Sequence, residues 1–410
     1  MIYRVVNEER MDQVRELWDY CFEKQDTPFF QYYFNEYCGK NNMVIGGYSE
    51  APKGVREKLR TMVHINPYML RIRGREQLVP YLVGVATAPE ARGQHLVEPL
   101  FETTFEVLRS EGFTFATLMP IQAGIYLPYE FAYCYYRHGY ELPLAELGRE
   151  LAGAQGKELA VERLALRPDA EALAAAEAVL ATLYAQLTSR YNGVPLRTHF
   201  QWNKLLTVHA LEGMQCAVVY RKEQPCGYMF YYIAEDCLTI HELMAVDFAA
   251  RNRLLQYVAM HQSSAESVKW LATYDDSTYL GFANQKLTGT LEPFMMARCL
   301  DARKALLELT VSADMPAASV VLLLTDKLIN RNNHLVKLQL GPGELNVKST
   351  LDAEEIIMDM GAFTQLYFGA YNASELYAAG RIRVQAGAEE KLTLLDKLFP
   401  KCTNFINEYF

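Results

Sequence analysis

The stretch Val83–Leu100, with the sequence VGVATAPEARGQHLVEPL, most constrains how this chain can fold. It predicts an apolar strand, a turn at Pro89, a loop containing Arg92 and Gly93, and then an amphipathic helix. A helix start leaves about four backbone N–H groups unpaired and carries the positive end of the helix dipole. Arg92 adds a guanidinium, and Gly93 lets the backbone approach a ligand closely. The pattern therefore indicates an anion site suited to a phosphate or pyrophosphate, and the alternative is an ordinary strand–loop–helix with a solvated arginine.

Charge and cysteine content narrow the class of protein. The net charge is −9, from 40 Lys+Arg against 49 Asp+Glu, and no basic run stands out. We therefore expect no nucleic-acid partner, and cationic ligands are the more natural ones. The charged start MIYRVVNEERM leaves no room for a signal peptide, and the longest uncharged run, 112–129, is broken by proline and glycine. Eight cysteines without a CxxC pair predict buried thiols and no metal site, so we expect a soluble cytoplasmic protein without membrane partners.

The chain divides into three predicted domains, 1–148, 149–290 and 291–410. The first alternates strand-like and helix-like stretches, and the Gly/Ala-rich segment 149–158 predicts a linker. The second repeats the order strand, strand, strand, helix, strand, which predicts another domain of similar fold. The third predicts a compact α+β domain with a hairpin at Gly341-Pro342-Gly343 and helices that include residues 353–360. The expected fold class is α+β, with mixed α/β order in the first two domains.

Two motifs resemble those of a known superfamily. Val83, Val85, Pro89 and Arg92 resemble the V-x-V-x-P-x-x-R-x-x-G motif with which the GNAT N-acetyltransferases cradle the pyrophosphate of acetyl-CoA. The proline falls two residues late for the strictest spacing, and His95 stands where the loop usually has a glycine, although its backbone N–H remains available. The resemblance implies acetyl-CoA as cosubstrate, with no metal. The residues expected to hold it are Val83, Gly84, Val85, Arg92, Gly93, Gln94, His95 and Leu96.

The second motif is the segment AYCYYRHGYE at 132–141, which resembles the GNAT pattern A-x-x-x-Y-x-x-x-G-[FY]. In that superfamily the tyrosine protonates the departing CoA thiolate, so the resemblance assigns the role of general acid to Tyr135. A phenol has a pKa of about 10 and is protonated at neutral pH. Tyr136 is the second choice, and an aromatic wall without a chemical role is the alternative.

The three-domain order is similar to the enhanced-intracellular-survival (Eis) family, in which a sterol-carrier-protein-like domain follows two GNAT-like domains. In that family the carboxylate of the last residue, commonly Phe, enters the first active site as general base. The resemblance therefore assigns this role to Phe410, and the predicted strand 78–87 before the phosphate loop carries no carboxylate that could replace it. A frayed C-terminus is the alternative.

These motifs lead to an expected N-acetyltransferase that acts on the primary amines of a polycationic, aminoglycoside-like molecule or of lysine side chains. Asp26 and His64 are expected to face the amine substrate, and either is an alternative base. The resemblance also implies a homo-oligomer, a hexamer in the Eis family. The rival hypothesis is a lipid- or ligand-binding protein whose acetyltransferase site has decayed, because His95 replaces the loop glycine.

Overall fold

The computed structural model describes residues 1–151, 158–286 and 289–409. Their contacts divide the chain into two compact units, Met1–Tyr135 with Phe294–Phe410, and Tyr136–Pro293. Most of the first and third predicted domains, residues 1–135 and 294–410, therefore lie in one unit, whereas residues 136–148 and 291–293 belong to the other. Most of the predicted linker, residues 152–157, falls outside the described residues, and the domain boundaries at 148 and 290 stay predictions.

The N-terminal part supplies most of the main sheet of the first unit. Its strands are β1 (Ile2–Val5), β2 (Met43–Tyr48), β3 (Leu59–Ile72), β4 (Arg75–Thr87) and β5 (Phe115–Leu118), followed by β6 (Ala132–Pro143). Its helices are α1 (Met11–Cys21), α2 (Pro28–Tyr32) and α3 (Val97–Ser110), and a π-helical turn covers Tyr33–Tyr37. Pro28 occupies the first turn of α2, where a missing N–H costs nothing.

The second unit is a mixed sheet with helices on it. Its elements are α4 (Leu144–Glu150), β7 (Leu159–Leu164), α5 (Ala170–Thr188), β8 (Val194–Pro195), α6 (His199–Leu211), β9 (Gln215–Arg221), β10 (Gln224–Ala234), β11 (Cys237–Ala245), α7 (Phe248–Ala259) and β12 (Ser267–Thr273). Its strands lie in the order β6, β12, β11, β10, β9, β7, with only β11 and β12 parallel among the pairs described. The repeated strand and helix order predicted from the sequence is present.

The C-terminal part begins with β13 (Gly289–Cys299), whose residues Met296–Cys299 pair antiparallel with β5. The remaining elements are α8 (Ala302–Leu307), β14 (Ala318–Thr325), β15 (His334–Gly341), β16 (Glu344–Ser349), β17 (Ile356–Asp359), α9 (Met360–Phe368), α10 (Ala373–Ala378), β18 (Ile382–Val384) and α11 (Glu390–Leu398). Five strands form a second sheet in the order β16, β15, β14, β17, β18. The predicted hairpin at 341–343 is confirmed by the pairing of Gly341 with Glu344.

The helix predicted over residues 353–360 is wrong. Residues Ile356–Asp359 form β17, which pairs in parallel with β14, while α9 begins at Met360. The run Glu-Glu-Ile-Ile-Met is short and apolar at its end, and such a run fits a buried strand as well as a helix. Pairing with β14 stabilises the strand at this position. Next to β17, the carboxylate of Glu355 accepts a hydrogen bond from Val321 N at 2.7 Å.

The hairpin of β3 and β4 inserts its tip into the core of the C-terminal part. Tyr68, Leu70 and Ile72 belong to the same buried cluster as the apolar residues of α9 and β14. At the turn, the Arg73 guanidinium donates to the carbonyl oxygens of Leu366 and Tyr367, at 3.0 and 2.7 Å. These are carbonyls of the last turn of α9, where a cation is favourable.

A buried ionic cluster also joins distant parts of this unit. Arg298 is fully buried; its guanidinium donates to Asp326 at 2.8 Å and lies 3.6 Å from Glu130. Asn332 donates to the other carboxylate oxygen of Asp326, also at 2.8 Å. Burial and the neighbouring Asp326 carboxylate raise the pKa of Glu130 to about 7, because both disfavour its charged form.

Candidate active site

The strand β4 carries a bulge at the predicted cofactor site. His64 pairs with Val83 and Met62 with Ala86, so β4 has one residue more than β3 over this stretch. Gly84 takes a φ of +58°, and a Cβ on it would lie 2.4 Å from Cζ3 of Trp18. Only glycine fits both the backbone conformation and the space. The bulge turns the backbone of Val83–Val85 out of the regular ladder.

The sheet opens beside this bulge. Strands β4 and β5 pair in parallel at Tyr81 with Thr117 and at Leu82 with Leu118, where β5 ends. The residues of β4 from Val83 to Thr87 therefore extend beyond the end of β5. Backbone amides near such an opening are available to a ligand, because a neighbouring strand does not use them all.

The predicted phosphate loop is exposed and leads into α3. Residues 92–95 are exposed, and the described contacts of the Arg92 side chain are limited to Nε donating to Thr87 O at 3.3 Å. Gly93 has a φ of +75° with no heavy atom within 4 Å of an added Cβ. Leu96 is the N-cap of α3 and offers no side-chain cap, so the first-turn N–H groups are left for another acceptor. Pro99 falls in the first turn, where it is tolerated.

His95 occupies the position at which the resemblance expects glycine. Its φ is +54°, in the left-handed region that glycine adopts without cost, and its side chain is exposed. The loop therefore keeps a glycine-like backbone with a histidine in it. A non-glycine residue in this conformation costs roughly 1–2 kcal/mol.

A buried aromatic cluster packs behind the bulge. Trp18 of α1 stacks on Tyr33 at 4.9 Å and contacts the His64 ring at 4.8 Å between centroids. His64 is fully buried, and burial lowers its pKa to about 3, which keeps the imidazole neutral. Asp26, by contrast, is exposed in the turn between α1 and α2, and its carboxylate pairs with no group in the described parts of the chain. Of the two predicted substrate-facing residues, the structure thus buries His64 and exposes Asp26.

Tyr135 lies in the core of the first unit. It is 1% exposed, its ring lies 6.0 Å from that of Phe368, and burial raises its pKa well above the usual 10. It shares its buried cluster with Tyr81 of β4. Tyr129, in the short turn that precedes β6, is only half-buried.

The C-terminal tail runs to β4. Residues 404–408 are buried, and Asn404 Nδ2 donates to Cys134 O at 2.8 Å. The Tyr81 hydroxyl donates to Tyr409 O at 3.2 Å, and the Tyr409 ring packs on Phe294 at 5.6 Å. Phe410 itself lies outside the described residues. Tyr409 is therefore held by the side chain of Tyr81, a residue two positions before Val83 in the sequence of β4.

Sequence reasoning missed Tyr81, Trp18 and Tyr33 as parts of this site. The aromatic run FFQYYFNEY at 29–37 was a possible signal for Tyr33, since so many rings in one short segment indicate a shared pocket. Nothing in the sequence linked Tyr81 to a residue more than 300 positions later. In the described residues, no group of three or more His, Cys, Asp or Glu is placed to hold a metal ion, and no helix could cross a membrane.

Family models match three parts of the chain. An acetyltransferase (GNAT) domain matches residues 2–134, a second acetyltransferase (GNAT) domain matches 193–299, and a sterol carrier protein domain matches 302–407. No curated protein sequence matches the chain.

Several solved structures share the fold over the whole chain. A probable N-acyltransferase from Enterococcus faecalis V583 is 19% identical, with a TM-score of 0.85 and coverage of 100% of this chain and 99% of that one. A GCN5-related N-acetyltransferase from Anabaena variabilis is 19% identical with a TM-score of 0.80, and both chains are covered completely. Eis1 from Mycobacterium abscessus is 15% identical with a TM-score of 0.73, again over both full chains. The chain therefore contains two GNAT acetyltransferase domains followed by a sterol carrier protein domain, and it shares the fold of Eis1 over its whole length.

Proposed function

We propose that this protein transfers the acetyl group of acetyl-CoA directly to a primary amine of a polycationic small molecule or of a lysine side chain. The observation that carries the proposal is the exposed loop 92–95 between a bulged β4 and the uncapped start of α3. This arrangement suits a pyrophosphate, because Arg92, a flexible glycine backbone and helix N–H groups face one anion. Val83, Gly84 and Val85 would hold the pantetheine arm, with Gln94, His95 and Leu96 completing the loop.

The proposed chemistry needs a base for the ammonium, donors for the thioester oxygen and an acid for the leaving thiolate. Backbone N–H groups of the bulge polarise the thioester carbonyl. The carboxylate of Phe410, in a chain that ends there, takes the proton from the amine through water. The hydrogen bond between the Tyr81 hydroxyl and Tyr409 O supports this role, because Tyr409 is the residue before Phe410 in the sequence.

Tyr135 is the proposed proton donor for the thiolate. Its raised pKa keeps the phenol protonated, and it shares a buried cluster with Tyr81, which binds the tail. Tyr135→Phe should lower kcat, whereas Tyr129→Phe, which removes a half-buried hydroxyl nearby in sequence, should not. The reverse result would move the acid to the turn before β6.

The test of the proposed function is release of CoA thiol from acetyl-CoA with a panel of polycationic amines. The wild type is compared with a variant extended by Gly-Ser-Gly after Phe410 and with a control that carries the same residues before Met1. Loss of turnover in the C-terminal extension alone supports the terminal carboxylate as base. Full turnover in that variant excludes it. No thiol release with any amine, together with no acetyl-CoA binding, refutes the transferase and favours ligand binding by the third domain.

For the assembly and cellular location, we propose a homo-oligomer in the cytoplasm, a hexamer by resemblance to the Eis family. Sedimentation velocity of the purified chain measures the assembly directly, and a monomer at micromolar concentration would contradict it.

A further inference from the structure

Hydrogen bonds behind the β4 bulge determine which nitrogen of His64 carries the proton. The backbone N–H of Gly39 donates to Asn42 Oδ1 at 2.8 Å, so the amide of Asn42 can be placed in one orientation only. Its Nδ2 then donates to the Tyr33 oxygen at 3.0 Å and to Asn66 Oδ1 at 2.9 Å.

The Tyr33 hydroxyl therefore uses its own proton elsewhere. Its oxygen lies 2.8 Å from Nδ1 of His64, and the thiol of Cys38 lies 3.7 Å from the same nitrogen. When the Tyr33 hydroxyl donates its proton to Nδ1, that nitrogen is the acceptor of the pair. A neutral imidazole that accepts at Nδ1 carries its proton on Nε2.

This Nε2–H is a buried donor to which the described residues offer no acceptor. Within residues 1–151, 158–286 and 289–409, His64 Nε2 has no hydrogen-bond partner, although the side chain is fully buried. Leaving a buried donor unpaired costs roughly 1–3 kcal/mol, so such a group in a folded protein calls for an explanation.

The donor lies at the bulge. His64 pairs with Val83, and Cδ2, the ring carbon bonded to Nε2, lies 3.3 Å from the position that a Cβ on Gly84 would take. The missing side chain of Gly84 thus leaves the imidazole edge close to the bulged backbone. An N–H donor there suits an oxygen acceptor and does not suit an ammonium group.

We propose that His64 is a catalytic hydrogen-bond donor, whose Nε2–H binds the carbonyl oxygen of the acyl thioester and stabilises the negative charge that develops on it. Tyr33 is a positioning residue, because its hydroxyl fixes the tautomer that makes this donor. The inference rests on the proposed function, and it replaces the earlier alternative of His64 as a base. Nε2–H has no lone pair to accept a proton, and Nδ1 is already engaged.

The first experiment reads the tautomer without turnover. With ¹⁵N-labelled histidine, and His64→Gln to assign the signal, the spectrum of the full chain should show Nε2 protonated and Nδ1 not. A ketone analogue of acetyl-CoA, which keeps the carbonyl, should shift the Nε2 resonance, whereas CoA itself should not. A proton on Nδ1, or no response to the analogue, overturns the inference whether or not the protein turns over any amine.

The second experiment measures the role in the reaction. The variant Tyr33→Phe with His64→Phe removes both partners of the hydrogen bond, a change that buried sites tolerate better than loss of one. We expect kcat to fall about 100-fold, as for other lost oxyanion donors, with acetyl-CoA binding and the pH profile unchanged. Tyr33→Phe alone should give a smaller loss and a mixed tautomer signal. A higher KM for the amine with unchanged kcat would place His64 against the amine substrate and refute the proposal.

Discussion

Substitution of Gly84 by alanine tests whether the bulge is held against Trp18. A Cβ at this position would lie 2.4 Å from Trp18 Cζ3, and Trp18 is itself only 6% exposed, so its ring has little room to move. Overpacking of this kind costs about 1–3 kcal/mol. The left-handed backbone, with a φ of +58°, adds a strain of roughly 1–2 kcal/mol.

The matched control is Gly93→Ala. Gly93 also has a positive φ, +75°, but nothing lies within 4 Å of an added Cβ. Strain and the lower chain entropy of the unfolded state are common to both variants and cancel in the comparison. Gly84→Ala should therefore lose about 1–3 kcal/mol more of the free energy of unfolding than Gly93→Ala.

Urea unfolding followed by tryptophan fluorescence measures this difference. Kinetics separate the two positions as well: Gly84→Ala should lower kcat, because it displaces the backbone donors, while Gly93→Ala should raise the KM for acetyl-CoA. If the two variants unfold within about 0.5 kcal/mol of each other, the ordinary scatter for surface changes, the packing of Trp18 on the bulge is refuted.

Three further predictions concern charge. Arg92→Ala should weaken acetyl-CoA binding about 10- to 150-fold by calorimetry, since a charge-assisted hydrogen bond contributes about 1.5–3 kcal/mol. Arg56→Ala, at an exposed ion pair, should leave this binding unchanged, and equal effects of the two substitutions would contradict the phosphate role. Burial lowers the pKa of His64 to about 3, so the unfolded chain binds a proton at a higher pH than the folded chain does. The stability present above pH 6.5 should therefore be lost towards pH 3, by up to about 1.4 kcal/mol per pH unit. A His64→Gln variant with the same acid slope would argue against this. Arg298→Met should lower the free energy of unfolding in urea by about 3–5 kcal/mol, because Asp326 then keeps a buried charge without its guanidinium. Adding Asp326→Leu to this variant should recover part of the lost free energy. No recovery would refute the pairing.

Local patterns predicted the local structure well. The amphipathic helix predicted after the loop is α3, because one buried face gives it a regular period of apolar residues, and the apolar strand predicted before the loop is β4. The loop 92–96 was found from its residue types, and the glycine-like backbone of His95 agrees with the motif. Short-range chemistry of this kind is visible in any single sequence.

Contacts between distant segments could not be predicted. Arg298, Asp326 and Glu130 meet in one buried cluster, but each is an ordinary charged residue in its own segment. The burial of His64 depends on α1 and the π-helical turn folding over β3, and its tautomer depends on Asn42 and Gly39. The strand β17 was missed for the same reason, since its partner β14 lies more than 30 residues earlier.

The insertion of the β3–β4 tip into the third domain has a consequence for synthesis on the ribosome. Arg73 is translated about 230 residues before the sterol carrier protein domain begins at 302. At 5–20 residues per second, the hairpin tip waits roughly 15–60 s for α9, the helix that covers it. During that interval Tyr68, Leu70 and Ile72 remain uncovered on the nascent chain. Chaperone binding to stalled nascent chains should therefore peak after the hairpin emerges and fall once α9 has left the ribosome.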